Sequence, residues 1–138
     1  MTVHKFLNPE GMLPPVGFSH VAVAAPGRLV FLAGQTAHQA DGSLAGSTLA
    51  EQFAAAAENV AAALAAAGAT PADVVSLQIF TTDVDGYREQ SKAIGAGYRS
   101  VFGPHYPPMA LLGVTRLYDP DSLVELVAVA VIPELEDG

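Results

Sequence analysis

The chain has 138 residues, 51% of them hydrophobic and 14% charged, which fits one globular domain over 1–138 and excludes disorder. Its formal net charge of -8 includes only six basic residues, none clustered, which argues against nucleic acid, because phosphate backbones are bound by Lys and Arg. There is no cysteine, which excludes disulfides, thiolate catalysis and thiolate metal sites.

The low charged fraction leaves little polar surface and favours an oligomer. Residues 1–6 lack the apolar run of a signal peptide. The longest apolar stretch, 53–67, is interrupted by Glu58 and Asn59 and is too short to span a bilayer. A soluble cytoplasmic protein with no membrane partner is the expectation.

In chain order, an opening strand near 4–7 precedes a loop over 8–16 rich in Pro and Gly. Residues 19–25 and 28–33 are β-prone runs on either side of the turn dipeptide Pro26-Gly27, and the pattern predicts that they pair as a hairpin. Gly34-Gln35-Thr36 leaves the second of these strands, and Asp41-Gly42 marks another turn. Thr48-Leu49-Ala50-Glu51 fits a capping box, in which the Thr hydroxyl and the Glu carboxylate satisfy opposite sides of the first helical turn. Leu49, Phe53, Val60 and Leu64 then form one apolar stripe, and the alanines between them favour a helix that can lie close to a sheet. Gly68 stands where such a helix ends.

A buried strand is predicted over 73–82 and a second helix over 84–102. Gly95 and Gly97 weaken that helix by roughly 1 kcal/mol each, and Pro104, Pro107 and Pro108 prevent its continuation. Residues 109–117 and 123–132 complete the chain as two strands across a turn at Asp119-Pro120-Asp121. The order of strand, hairpin, helix, strand, helix and hairpin defines an α+β domain with helices on one face of a mixed sheet.

Markers spread along nearly the whole chain resemble the reactive-intermediate deaminase family (RidA/YjgF). Phe18-Ser19-His20 resembles the family's Tyr-Ser-His, and residues 29–35 resemble its strand ending in Ser-Gly-Gln. Residues 52–68 look like the first helix, Val74 to Asp83 like the following strand, and Tyr98 with Phe102 like the end of the second helix. Thr115-Arg116-Leu117 and Val124-Glu125-Leu126 resemble the last hairpin. The resemblance implies a chorismate-mutase-like, YjgF-type fold assembled as a homotrimeric barrel, with a small-molecule ligand in clefts between subunits. It also implies a deamination that needs no cofactor or metal: an imine or enamine carbon accepts water and ammonia leaves.

Carried over residue by residue, the resemblance implies a cleft lined by Phe18, Ala33, Gly34, Met109 and Leu111, with Glu125 as the catalytic group that positions water. The neighbours of Glu125 are apolar (Leu123, Val124, Leu126, Val127), so its carboxylate would be partly desolvated, which suits acid–base work. The alternative is an edge-strand glutamate pointing to water.

Several positions depart from the family. Its active deaminases read Pro-Ala-Arg-Ser where this chain reads Pro107-Pro108-Met109-Ala110, so the arginine that clamps a 2-imino acid carboxylate is replaced by a flexible thioether. The neighbouring hydroxyl is lost as Ala110. Phe18 lacks the hydroxyl of the tyrosine often found there, and Gly95 stands roughly where some members carry an asparagine. Met109 and Leu111 share strand parity and would give the cleft an apolar floor, serving either a less charged ligand or a pocket that has filled in. The expected function is therefore hydrolysis of an imine, enamine or related metabolite other than the standard 2-imino acids. The alternative is a non-catalytic ligand-binding or regulatory trimer, and endoribonuclease activity is disfavoured by the acidic charge.

The remaining candidates are weaker. Arg116 has opposite parity to Met109 and reads as packing or a surface ion pair. Arg99 on the second helix is a lesser candidate for reaching a neighbouring cleft. His20, near the cleft mouth, is the best of the four histidines, whereas His4, His38 and His105 show no metal-ligand spacing. Residues 95–100 lack the third glycine of a dinucleotide loop and fall within a helix.

Overall fold

The computed structural model of the chain describes residues 2–135. Two sheets form. In the smaller, β1 (Lys5–Leu7) pairs antiparallel with β2 (Val21–Val23), with Phe6 opposite Ala22. The larger contains β3 (Gly27–Phe31), β4 (Val74–Thr81), β5 (Met109–Gly113) and β6 (Val124–Pro133) in the order β3-β6-β4-β5. β6 runs antiparallel to both β3 and β4, while β4 and β5 are parallel. A parallel pair needs a long crossover, which α2 (Val84–Glu89) and α3 (Ser91–Phe102) supply.

The first long helix, α1 (Leu49–Ala66), starts as its sequence predicts: Thr48 Oγ1 accepts from the Glu51 N–H, and Glu51 accepts from the Thr48 N–H. Its stripe of Leu49, Phe53, Val60 and Leu64 is buried, together with Ala56 and Ala57. Gly68 adopts φ 78° beyond its end, a left-handed conformation that suits glycine.

Alternation along β6 decides which face of the sheet the helices cover. Val124, Leu126, Ala128 and Ala130 are buried, and they lie in register with Thr81, Ile79, Leu77 and Val74 of β4. Met109 and Leu111 continue that face on β5, beside Leu77 and Ile79. The opposite face carries Glu125, Phe80 and Leu112 across three strands, with Phe31 beside Val129 at the other edge. It is left largely open, with Phe31 72% and Leu29 64% exposed. α3 packs on α1 at small residues: a Cβ on Gly97 would lie 3.3 Å from the Ala54 Cβ. That close approach explains why a helix-weakening glycine is present there.

Three expectations need correction. Residues 19–25 and 28–33 do not form a hairpin, because β2 pairs with β1 and β3 pairs with β6. Gly27 lies opposite Pro133, and a Cβ on it would run into the Ile132 carbonyl, so this glycine permits close strand approach. The last two strands are not a hairpin either. They lie on either side of β4, and β5 stops at Gly113, short of 117. The second helix is divided at Gln90, whose side-chain oxygen accepts from the Ala50 N–H at the start of α1. Each of these outcomes involves a partner distant in sequence. The mixed α+β architecture with helices on one face stands.

Candidate functional site

A cavity of about 480 Å³ opens between the helices, the start of β5 and the loop before β2. Met109 and Ile79 form part of its sheet wall, and Phe53, Tyr87 and Ile94 part of its helical wall. Tyr98 is packed and hydrogen-bonded in place there. Its ring stacks on Phe102 (4.5 Å between centroids) and on Tyr106 (5.4 Å), and its hydroxyl donates to the His105 carbonyl at 2.5 Å. Burial pushes the Tyr87 phenol up to about 12 and raises that of Tyr98 as well, with Tyr106 and then Tyr87 adding to the effect, so both rings stay neutral at physiological pH.

The remaining wall comes from Val16 and Gly17. Ser19 ties their loop to the strand entry: its Oγ donates to the Tyr106 carbonyl at 2.6 Å and its N–H to the Pro107 carbonyl at 3.4 Å. Phe18, singled out from sequence, packs edge-on against His20 while the two residues before it line the cavity. Leu111 shares the face of Met109 but lies beyond the cavity lining and is 39% exposed.

Gly34 and Glu125 form a second cluster. Past β3, Gln35 exchanges two backbone hydrogen bonds of 2.8 Å with Leu126, which sets Ala33 and Gly34 beside β6. A Cβ on Gly34 would collide with the Glu125 carboxylate, so the absence of a side chain at 34 leaves room for that acid. Glu125 is half-buried and makes no ion pair among the described residues. Its register with Phe80 puts it on the open face of the sheet, away from Met109. Met109 and Leu111 therefore lie on one face of the sheet and Glu125, with Gly34 beside it, on the other, and a single chain does not bring them together.

Three of the four histidines are tied to backbone carbonyls: His4 to Val131 (2.9 Å), His20 to Leu13 (2.8 Å) and His105 to Val74 (2.8 Å). His38 differs. Its Nδ1 lies 2.5 Å from Thr36 Oγ1 and its Nε2 2.8 Å from Asp119 Oδ2, while Asn59 donates to the carbonyls of Thr36 and His38. Sequence reasoning missed this chain of polar groups. Only the Thr-x-His spacing is local, and the acid comes from a loop 81 residues away. No three His, Cys, Asp or Glu side chains converge as a metal-binding group among the described residues.

The comparisons agree with this architecture. The family described as Endoribonuclease L-PSP matches residues 11–132. Among solved structures, the Rid-family protein YyfB of Yersinia pestis is 34% identical with a TM-score of 0.85, covering 94% of this chain and 98% of its own. A member of the YjgF/YER057c/UK114 family from Mycobacterium tuberculosis is 30% identical with a TM-score of 0.62, covering 94% and 99%. The structure of Escherichia coli TdcF with bound serine is 27% identical with a TM-score of 0.65, covering 91% and 93%. No curated protein matches the sequence. A mixed sheet backed by helices on one face, in this strand order, is the fold these solved structures share with the chain. The chain belongs to the Rid/YjgF family, whose sequence description is Endoribonuclease L-PSP.

Proposed function

We propose that the protein is a homotrimer that binds a small metabolite in clefts between subunits and hydrolyses a C=N or enamine bond without a cofactor. The observation that carries this reading is the division of the candidate site. Met109 and the aromatic cavity lie on the helix-covered face, whereas Gly34 and Glu125 lie on the open one. Assembly through the open face would place Glu125 of one subunit near the cavity of the next. That face has the apolar character of an interface, with Leu29, Phe31 and Leu112 exposed.

Met109, Phe18, Leu111, Ala33 and Gly34 would contact the ligand, and the Glu125 carboxylate would take a proton from the attacking water. The imine carbon gains the oxygen, the nitrogen gains protons, and ammonia departs, leaving a carbonyl. Bound serine in TdcF supports a small metabolite as the ligand class. The net charge of -8 and six basic residues count against RNA despite the family's description.

Ammonia release from 2-iminobutyrate or 2-iminopropionate generated in situ tests the reading. The natural sequence is expected to be nearly inactive on these short acids, and Met109→Arg to gain activity. Robust turnover by the natural sequence would refute the argument from the missing strand arginine.

The apolar Met109 wall also favours a second reading, a ligand-binding or regulatory trimer without catalysis. Glu125→Ala separates the two: an enzyme loses turnover, whereas a binding protein has no turnover to lose and keeps its affinity.

A further inference from the structure

Arg99 is the one charged residue lining the cavity; its other lining residues are neutral. It rises from the last turn of α3, and its guanidinium folds back along the helix over Gly95. A Cβ on residue 95 would lie 3.2 Å from Arg99 Nη1, tighter than ordinary van der Waals contact, so glycine at 95 clears the path that the side chain takes. Among the described residues Arg99 makes no ion pair, although acidic residues outnumber basic ones by fourteen to six. An unpaired guanidinium over an aromatic, otherwise uncharged cavity is complementary to an anion with an apolar body.

We infer that Arg99 is the anion contact of this cavity, and that the ligand is a monocarboxylate whose aromatic or branched apolar body lies over Met109 and the tyrosines. This deepens the proposed function and rests on that reading for where the ligand sits. Size supports it, since about 480 Å³ falls in the range of roughly 300–1,000 Å³ that holds drug-sized ligands, more than a four-carbon acid needs. Position supports it too. A carboxylate held from α3 directs the rest of the ligand toward the sheet, where Met109 and Ile79 offer apolar contact. Arg99 is thus a specificity-determining residue that favours longer, apolar acids over short ones.

Calorimetric titration with phenylacetate and its uncharged isostere phenylacetamide tests the inference on the full-length protein. The natural protein should bind phenylacetate at least tenfold more tightly than phenylacetamide. Arg99→Met should weaken phenylacetate binding by about tenfold to a hundredfold, the usual worth of a charge-assisted hydrogen bond, and leave phenylacetamide unchanged. Gly95→Ala is the second variant. It should raise the melting temperature, because alanine is the better helix former, yet weaken phenylacetate several-fold by displacing the guanidinium.

If Arg99 serves only the C-terminal end of α3, Arg99→Met lowers the melting temperature with no change in phenylacetate affinity, and the inference fails. It also fails if the natural protein binds neither compound at millimolar concentration, or binds both equally. Glu125→Ala keeps this test distinct from that of the reaction. Abolished turnover with intact phenylacetate affinity upholds both readings, and intact affinity in a protein that hydrolyses no imine overturns the hydrolytic one alone.

Discussion

His38 Nε2 lies 2.8 Å from Asp119 Oδ2 and joins the loop after β3 to the loop before β6. The Asp119 carboxyl is held below its ordinary value of 3.8, first by the Asp121 backbone N–H and then by the His38 side chain. A carboxyl whose folded-state value is depressed contributes stability above its unfolded value, and loses that contribution as pH falls through the folded one. Unfolding midpoints across pH should therefore show the natural protein more stable than Asp119→Asn above about pH 5, with the gap closing as pH falls below 3.8. An acid-side loss should persist in the variant, because Asp41 and Glu51 are also held low, chiefly by the side chains of Ser43 and Thr48. A gap that stays constant with pH would show that the carboxylate charge is not what ties the loops.

Gly34→Ala places a methyl group against the Glu125 carboxylate. The atoms met belong to a flexible side chain, so stability should change by less than about 1.5 kcal/mol. Under the hydrolytic reading, displacing the acid should lower turnover by about a hundredfold. Activity and chemical unfolding measured on one preparation check this, and full activity would remove Glu125 from the reaction.

Gly27→Ala has the opposite profile. Its new Cβ meets the Ile132 carbonyl, a backbone group inside the β3–β6 ladder that has no rotamer by which to escape. Urea unfolding should register a loss of about 1–3 kcal/mol, the usual cost of overpacking.

Phe31→Glu combined with Leu29→Glu puts two charges on the open face of the sheet, where both side chains are exposed in the single chain. Light scattering should show a trimer for the natural protein and a folded monomer for the double variant, with circular dichroism unchanged. A monomeric natural protein would refute assembly.

Leu126 is fully buried beneath α1 on the strand that pairs with both β3 and β4. Leu126→Ala should cost about 2–5 kcal/mol, measurable as a lower denaturant midpoint.

Local chemistry was legible wherever a few neighbouring residues decide the outcome. The Thr48–Glu51 capping box, the Leu49-to-Leu64 stripe and the left-handed Gly68 each rest on contacts within one or two helical turns. The same holds for Met109 and Leu111, whose shared face follows from strand parity alone. Strand partnership was not legible. Pro26-Gly27 carries the composition of a turn, yet Gly27 is needed because Ile132, more than a hundred residues on, comes too close for a side chain. Nor did local spacing announce the break at Gln90, whose side chain bonds to Ala50 on another helix.

The sequence by itself determined the family, the α+β class, the ends of α1, the acidic charge, and an apolar side chain at Met109, because each is a property of residue identity and short-range order. Only the tertiary structure decided that β4 separates β5 from β6 and that Met109 and Glu125 stand on opposite faces of the sheet. It alone also set Arg99 over Gly95 beside the cavity and joined His38 to Asp119. The physical reason is common to these cases. Strand order and side-chain convergence are set by which distant segments bury their apolar faces together, and no local pattern names the partner.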